Sequence, residues 1–273
     1  SDGLKPSTSA GMVERSLLYA KSFDGLVMNH PEEKSLSKNG AMHEGVTSTK
    51  MGLPGAPALA EEVAVNRDIY ILEYTKGKLH LLDISLKRSV EMIKQGKKKG
   101  LNLTASVNAY NLMLDESAVG DYNTNNKVNP HLRAKEDINA LIKGIADGTI
   151  DTVTSAHQPQ DEECKKLEFD KADFGMIGLE TCYAITNTVL ADKVELETIV
   201  ALLANNPRRV LGLDAAIREG AEADLTLFNP TQKWKFTEAD IKSQSKNTPF
   251  VGTEFTGKAL GIINKGKLHL ING

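Results

Sequence analysis

The sequence predicts an α/β fold with a parallel sheet, followed by a small β-rich segment. Three observations predict it: short apolar runs of strand character, helical periodicity between them, and a switch to closely spaced β-type runs after Gly220.

Taken in order, Leu26-Val27-Met28 leads into Asn29-His30-Pro31-Glu32, the first strand end. Leu59, Val63, Tyr70 and Tyr74 recur at helical spacing and predict a helix with that stripe as its apolar face. Leu79-His80-Leu81-Leu82 leads into Asp83-Ile84-Ser85, and Leu86, Val90 and Ile93 mark a second helix that Asp83 or Ser85 could cap. Leu101 to Val107 is the third strand, leading into Asn108-Ala109-Tyr110, and Ile138, Leu141, Ile142 and Ile145 predict a helix whose end Gly144 and Gly148 punctuate. Ile150 to Val153 then leads into Ser155-Ala156-His157. Strands this apolar, separated by helices, belong to a sheet covered on both faces. Helical stretches follow at about 179–190 and 195–203, and Pro207 marks a helix boundary. Beyond Gly220 the runs Asp224 to Phe228, Trp234 to Phe236, Ala259 to Asn264 and Lys267 to Ile271 are short and β-like, with Lys265-Gly266 as a hairpin turn. Residues 1–220 and 221–273 are therefore expected to form two regions.

Composition narrows the function classes. The 33 basic and 36 acidic residues give a net charge of −3, and the densest basic run is only Lys97-Lys98-Lys99, no footprint for nucleic acid or an anionic membrane. Cys164 and Cys182 are too few for a disulfide framework and lack metal-knuckle spacing, so a reducing, cytoplasmic setting is the default. No apolar run reaches the ~20 residues that a membrane span needs. The stretch from Ser155 to Gly178 reads as one long charged loop, either functional or a solvated excursion.

The strand ends carry a resemblance. His30-Pro31-Glu32-Glu33, Gly52-Leu53-Pro54-Gly55 with Arg67-Asp68, and Asn126 to Arg133 with its central Asn129-Pro130 are similar, in order, to motifs of class I dihydroorotases. So are Asp147-Gly148-Thr149, Phe174 to Thr181, Asn206-Pro207, Gly220 to Leu225 and Thr248 to Gly252. The order, more than any one motif, makes the likeness specific. The resemblance implies the C-terminal half of a (β/α)₈ TIM-type barrel, strands five to eight, plus a small sandwich region. It also implies zinc and a cyclic amide substrate. Because Ser1-Asp2-Gly3 resembles the turn after the fourth strand, the expectation is that further residues precede Ser1 or that another copy covers the open side.

Departures from the family pattern lie at the metal positions. His30 matches a ligand of the fifth strand. On the sixth, Asp83 stands at the ligand histidine while His80 matches a flanking one. On the eighth, the essential aspartate is Ala156, and the substrate-binding histidine further on is Gln160. Asn129 matches the asparagine that meets the substrate ring, or is a turn kept for folding, and Asp2 could match the bridging carboxylate. His43, His131 and His269 have no ligand spacing and are read as surface residues. Hydrolysis of an amide needs an activated water and a group to move its proton, and the methyl of Ala156 supplies neither. The expectation is a dihydroorotase-like protein of pyrimidine biosynthesis with impaired chemistry, acting as a scaffold or regulatory partner, with aspartate carbamoyltransferase or self-association as the candidate partnership. The alternative is an active zinc-dependent cyclic amidase, dihydroorotase or hydantoinase/allantoinase-like, completed by an N-terminal half. A plain binding protein for a small cyclic ligand is a third.

Overall fold

The computed structural model describes residues 1–273 except Asp2, Leu4, Thr8, Ala215, Ala216, Asn272 and Gly273. A parallel four-stranded sheet forms from β1 (Val27–Asn29), β4 (Leu79–Leu81), β5 (Leu103–Asn108) and β6 (Thr152–Thr154), in that spatial order. It does not close into a barrel, and β1 and β6 are its edges. The helices α1 (Ala10–Lys21), α4 (Leu59–Thr75), α5 (Lys87–Lys98) and α6 (Lys135–Ala146) lie side by side in sequence order. Between β1 and α4 come the short α2 (Lys34–Ser37) and α3 (Val46–Met51), and a parallel two-stranded pairing of β2 (Met42–His43) with β3 (Gly55–Ala56). The apolar strand positions, including Leu79, Leu81, Ala105 and Val107, are fully buried in one core with Leu72, Ile93, Leu141 and Ile150.

The α/β expectation holds, and the strands fall where the apolar runs place them. The helix at 59–75 is where the periodicity puts it, but its orientation is the reverse of the expected one. Ala60, Glu61, Ala64, Val65, Asp68, Ile69 and Leu72 face inward, while Leu59, Val63, Tyr70 and Tyr74 are exposed. The inward stripe carries two carboxylates with dedicated buried partners, so hydrophobicity alone points to the wrong side. Neither Asp83 nor Ser85 caps α5. Its N-cap is Leu86, and the first free amides are taken from outside the helix: Glu61 accepts from Ser85 and Leu86, and Asp137 accepts from Lys87.

After β6, residues 155–178 include a short helix, α7 (Glu162–Lys165), and a bridge between His157 and Met176. The helix α8 (Cys182–Leu190) follows, then α9 (Leu196–Val200), whose run continues through a π-turn at Ala201–Asn205 into α10 (Asn206–Val210). Pro207 thus opens a helical segment instead of ending one. It sits at the start of α10, where a missing N–H is harmless, and the wider turn before it makes room for the ring. The β-rich end is an antiparallel sheet of β7 (Leu225–Lys235), β8 (Glu254–Asn264) and β9 (Lys267–Leu270). The two runs expected at 224–228 and 234–236 are one strand with register shifts, and Lys265-Gly266 is the expected turn, both residues at positive φ. The helix α1 and the β2–β3 pair have no counterpart in the sequence reading.

Candidate functional site

In a parallel sheet the carboxyl ends of all strands lie on one side, where such folds collect their chemistry. Here that edge brings together His30 after β1, Asp83 after β4, Asn108 at the end of β5 and Ala156 after β6. Asp83 and Ala156 both have positive φ, 56° and 44°, so each turns off its strand through a left-handed conformation.

Asp83 is buried and tied down by its sheet neighbours. Its amide donates to the Ser106 hydroxyl at 2.8 Å, and its Oδ1 accepts from Ser106 at 3.2 Å and from Thr154 at 2.8 Å. Burial raises the carboxyl above the ordinary aspartate value, against the opposing influence of the His30 charge and the hydroxyl hydrogen bonds. The Thr154 hydroxyl has three acceptor oxygens within reach, Asp83 Oδ1, Asn108 Oδ1 at 2.7 Å and the Val107 carbonyl at 3.5 Å, and a single proton to share among them.

His30 is buried, with Nε2 3.8 Å from Glu32 Oε2 and with Nδ1 lacking a hydrogen-bond partner. Glu32, quoted in the sequence motif without a role, is the hub on this side. It accepts from Ser37 at 2.5 Å, from Lys34 at 2.8 Å and from Asn129 Nδ2 at 3.2 Å. Burial alone would push its carboxyl up, but those hydrogen bonds and the Lys34 charge outweigh it and bring the value down to about 2. Asn129 precedes a cis bond to Pro130, and its carbonyl accepts from the Tyr110 hydroxyl at 3.3 Å. His30, Glu32 and Asn129 line one small cleft together with Glu61, His131 and Arg133.

Other predicted residues stand elsewhere. Gln160 spends its amide on the Phe174 carbonyl at 2.7 Å, inside the loop. His80 pairs with the facing Thr104 at 2.8 Å, and burial, reinforced by Lys97, pushes it down to about 4. Asp2 lies outside the described residues. His157 accepts backbone N–H groups of Gly178 and Leu179 on Nδ1, at 3.2 and 3.4 Å.

Reading His43 and His131 as surface residues was wrong. His131 is buried, and burial with the Arg133 charge pushes it down to about 3. His43 Nδ1 lies 3.0 Å from Arg133 Nη1, and since arginine can only donate, that nitrogen accepts. Burial, then Arg133, takes His43 down to about 4. Arg133 also donates to Ser85 Oγ at 2.9 Å and reaches Glu61 at 3.5 Å, while Glu61 accepts from Ser85, Leu86 and Ser89. This network clamps the turn that presents Asp83. The only sequence signal for it was a glutamate on the inward stripe of α4.

Among the described residues the donor set falls short of a zinc site: His30 and Asp83 are neighbours, but the group that meets Asp83 from β6 is the Thr154 hydroxyl, Ala156 packs against the apolar core, and no three or more His, Cys, Asp or Glu side chains are grouped to hold a metal ion.

A family model for the amidohydrolase family matches residues 58–269. The chain belongs to the amidohydrolase family. It is 40% identical over 270 residues to a dihydroorotase of Thermoanaerobacter sp. (strain X514), covering 98% of this chain and 63% of that protein. With a dihydroorotase of Endomicrobium trichonymphae it shares 41% over 271 residues, covering 98% and 64%. The amidohydrolase chain thus spans a little under two thirds of these relatives' length. Among solved structures, an L-hydantoinase (dihydropyrimidinase) from Arthrobacter aurescens superposes with a TM-score of 0.86 at 20% identity, covering all of this chain and 64% of that one, a likeness of fold. No helix among the described residues is long and apolar enough to cross a membrane.

Proposed function

We propose that this chain is part of a dihydroorotase-like protein of pyrimidine biosynthesis whose own residues do not carry out the hydrolysis, and which serves as a scaffold or regulatory partner. The observation that carries this reading is the end of β6. Ala156 presents a methyl where the resemblance puts the carboxylate that moves the proton, and Asp83, at the family's ligand histidine, is buried and bound by Ser106 and Thr154. Loss of a general acid/base alone costs about 10²–10⁴-fold in rate. Aspartate carbamoyltransferase and self-association are the candidate partnerships on this reading.

The test is made on the full-length protein, with metal content and dihydroorotate turnover measured together. The expected result is turnover at least roughly 100-fold below that of an active relative and less than one zinc per chain. About one zinc per chain with full turnover would overturn the proposal.

A second reading, a zinc-dependent cyclic amidase completed by residues outside this chain, is favoured by one observation: the buried Nδ1 of His30 has no partner, in the cleft that Asn129 also lines. Dihydroorotate, a hydantoin or allantoin would be its substrate, and the same metal and turnover measurement decides between the two. A binding role without turnover is separated by calorimetric titration with dihydroorotate, where Asn129→Ala should abolish the heat.

A further inference from the structure

Two loops leave the carboxyl edge of the sheet, one joining β5 to α6 and the other joining β6 to α8, and each sends a buried lysine into the other. Lys165, on α7 in the second loop, donates to the carbonyl of Thr124 in the first at 2.9 Å and lies 3.5 Å from that of Lys127, while the Asp173 carbonyl of its own loop takes a third contact at 2.7 Å. Lys127, in the first loop, donates to the Asp170 carbonyl of the second at 2.9 Å and stands 4.7 Å from the centre of the Phe174 ring. Two shorter links close the exchange. The Thr124 hydroxyl donates to the Lys165 carbonyl at 2.6 Å, and the Gly175 amide to the Lys127 carbonyl at 2.9 Å.

We propose that Lys127 and Lys165 form a reciprocal clasp, a strap that opens and closes both loops together and so sets the shape of the cleft at Asn129 and His131. The bonded partners of the two ammoniums are neutral carbonyls and a ring face, and burial lowers both, Lys165 to about 8 with Lys127 adding to the effect. A buried cation held this way depends on all its partners at once. When one loop lifts, the other is left with an ammonium or a carbonyl out of water and nothing to bond, so neither loop opens cheaply alone. The route from the clasp to the cleft is short. Asn129 and His131 follow Lys127 directly in the chain, and the His131 ring lies 5.6 Å from the Phe174 ring on which Lys127 sits. The Phe174 carbonyl in turn accepts the Gln160 amide, so an open clasp also frees the second loop where it returns to the sheet. The device goes beyond the scaffold reading and does not depend on it, since it concerns the shape of the cleft whether or not hydrolysis takes place there.

The experiment is amide hydrogen exchange on the full-length protein, read over residues 120–134 and 155–178, with α5 as the control for an intact fold. In the wild type the Gly175 and Lys127 amides should share one opening and show protection within roughly 3-fold of each other. Lys127→Met and Lys165→Met should each speed exchange by roughly 10-fold or more in both loops. The double variant should exceed the faster single by less than about 3-fold, because the second substitution acts on a clasp that is already open. Lys166→Met, at the exposed neighbour paired with Glu162, should alter neither loop. Faster exchange confined to the loop that carries the substitution overturns the proposal, as do effects of the two lysines that multiply in the double variant, or an equal effect from Lys166→Met. Should either variant fail to fold, the wild-type comparison still decides: Gly175 and Lys127 amides with protection further apart than that open separately, and there is no clasp.

Discussion

At the scale of single residues, the side chains that matter most are those whose charge has been taken out of water. Glu32 is the clearest, because its carboxylate has three donors that water would otherwise replace. Its folded value of about 2 lies below the ordinary glutamate value of 4.5, so its contribution is complete above pH 4.5 and is lost as the pH falls through 2. Glu32→Gln is expected to cost about 2 kcal/mol at neutral pH, and the gap from wild type should close between pH 4.5 and 2, as urea unfolding across that range would read. Ala156 matters for its backbone instead: at φ 44° an L-residue with a β-carbon is strained. Replacing it with glycine should stabilise the fold by about 1 kcal/mol, measured in the same way, and a loss of stability would mean that the methyl packs better than its conformation suggests. The place of His30 and Asp83 at strand ends was legible in the sequence because polar residues follow apolar runs there, whereas Asn129, in the loop between β5 and α6, was singled out by the family resemblance alone. The burial of His43 and His131 was not legible. The Arg133 guanidinium that His43 meets is distant from it in the chain and arrives only when the fold closes, and His131 sits in a loop between β5 and α6 where no periodicity marks a buried side.

At the scale of elements, periodicity located helices and strands well, because burying apolar residues requires it. It failed on the face of α4 for a physical reason. Glu61 and Asp68 are buried because partners on other elements satisfy them, and no local pattern announces a partner on another element. The clamp of Glu61 on Ser85, Leu86, Ser89 and Arg133 couples α4 to the turn before α5, so Glu61→Ala should cost about 3–5 kcal/mol, since it leaves Arg133 charged and buried without its carboxylate. Adding Arg133→Met should recover a large part of that loss in a double-mutant cycle. The loop at 155–178 is held by an equally non-local device. The buried Lys165 ammonium donates to the carbonyls of Thr124 at 2.9 Å and Asp173 at 2.7 Å, and the Lys127 ammonium stands over the rings of Phe174 and Phe169. Burial, with Lys127 adding, pushes Lys165 down to about 8. Lys165→Met leaves the Asp173 carbonyl without that donor and Thr124 with the Lys127 amide alone, so the loop should become a site of rapid proteolysis, with stability falling by about 1–3 kcal/mol.

At the scale of the whole molecule, the question is whether the antiparallel sheet is an appendage or part of one cooperative unit. The contacts favour one unit. Asn187 on α8 donates from Nδ2 to the carbonyls of Pro230 and Thr256, at 2.9 and 2.8 Å, and Thr188 and Thr256 bond each other in both directions. Gly257 is what allows the approach. Its φ is 99°, and a β-carbon there would stand 2.6 Å from Asn187 Nδ2. The aromatic cluster of Trp234, Phe236, Phe250 and Phe255 sits beside this seam. The indole of Trp234, the one tryptophan in the chain, donates to the Gly257 carbonyl at 2.9 Å, so its fluorescence reports on the seam itself. Gly257→Ala adds backbone strain and a clash that Asn187 can relieve only by giving up its two carbonyls, a cost of about 2–4 kcal/mol. If the sheet and the helices unfold together, fluorescence and far-ultraviolet circular dichroism will move down in temperature by the same amount in this variant, as one transition. If the sheet is an appendage, the tryptophan signal will melt early and the helical signal will stay where it was, and the seam would then be a contact between two separately stable parts.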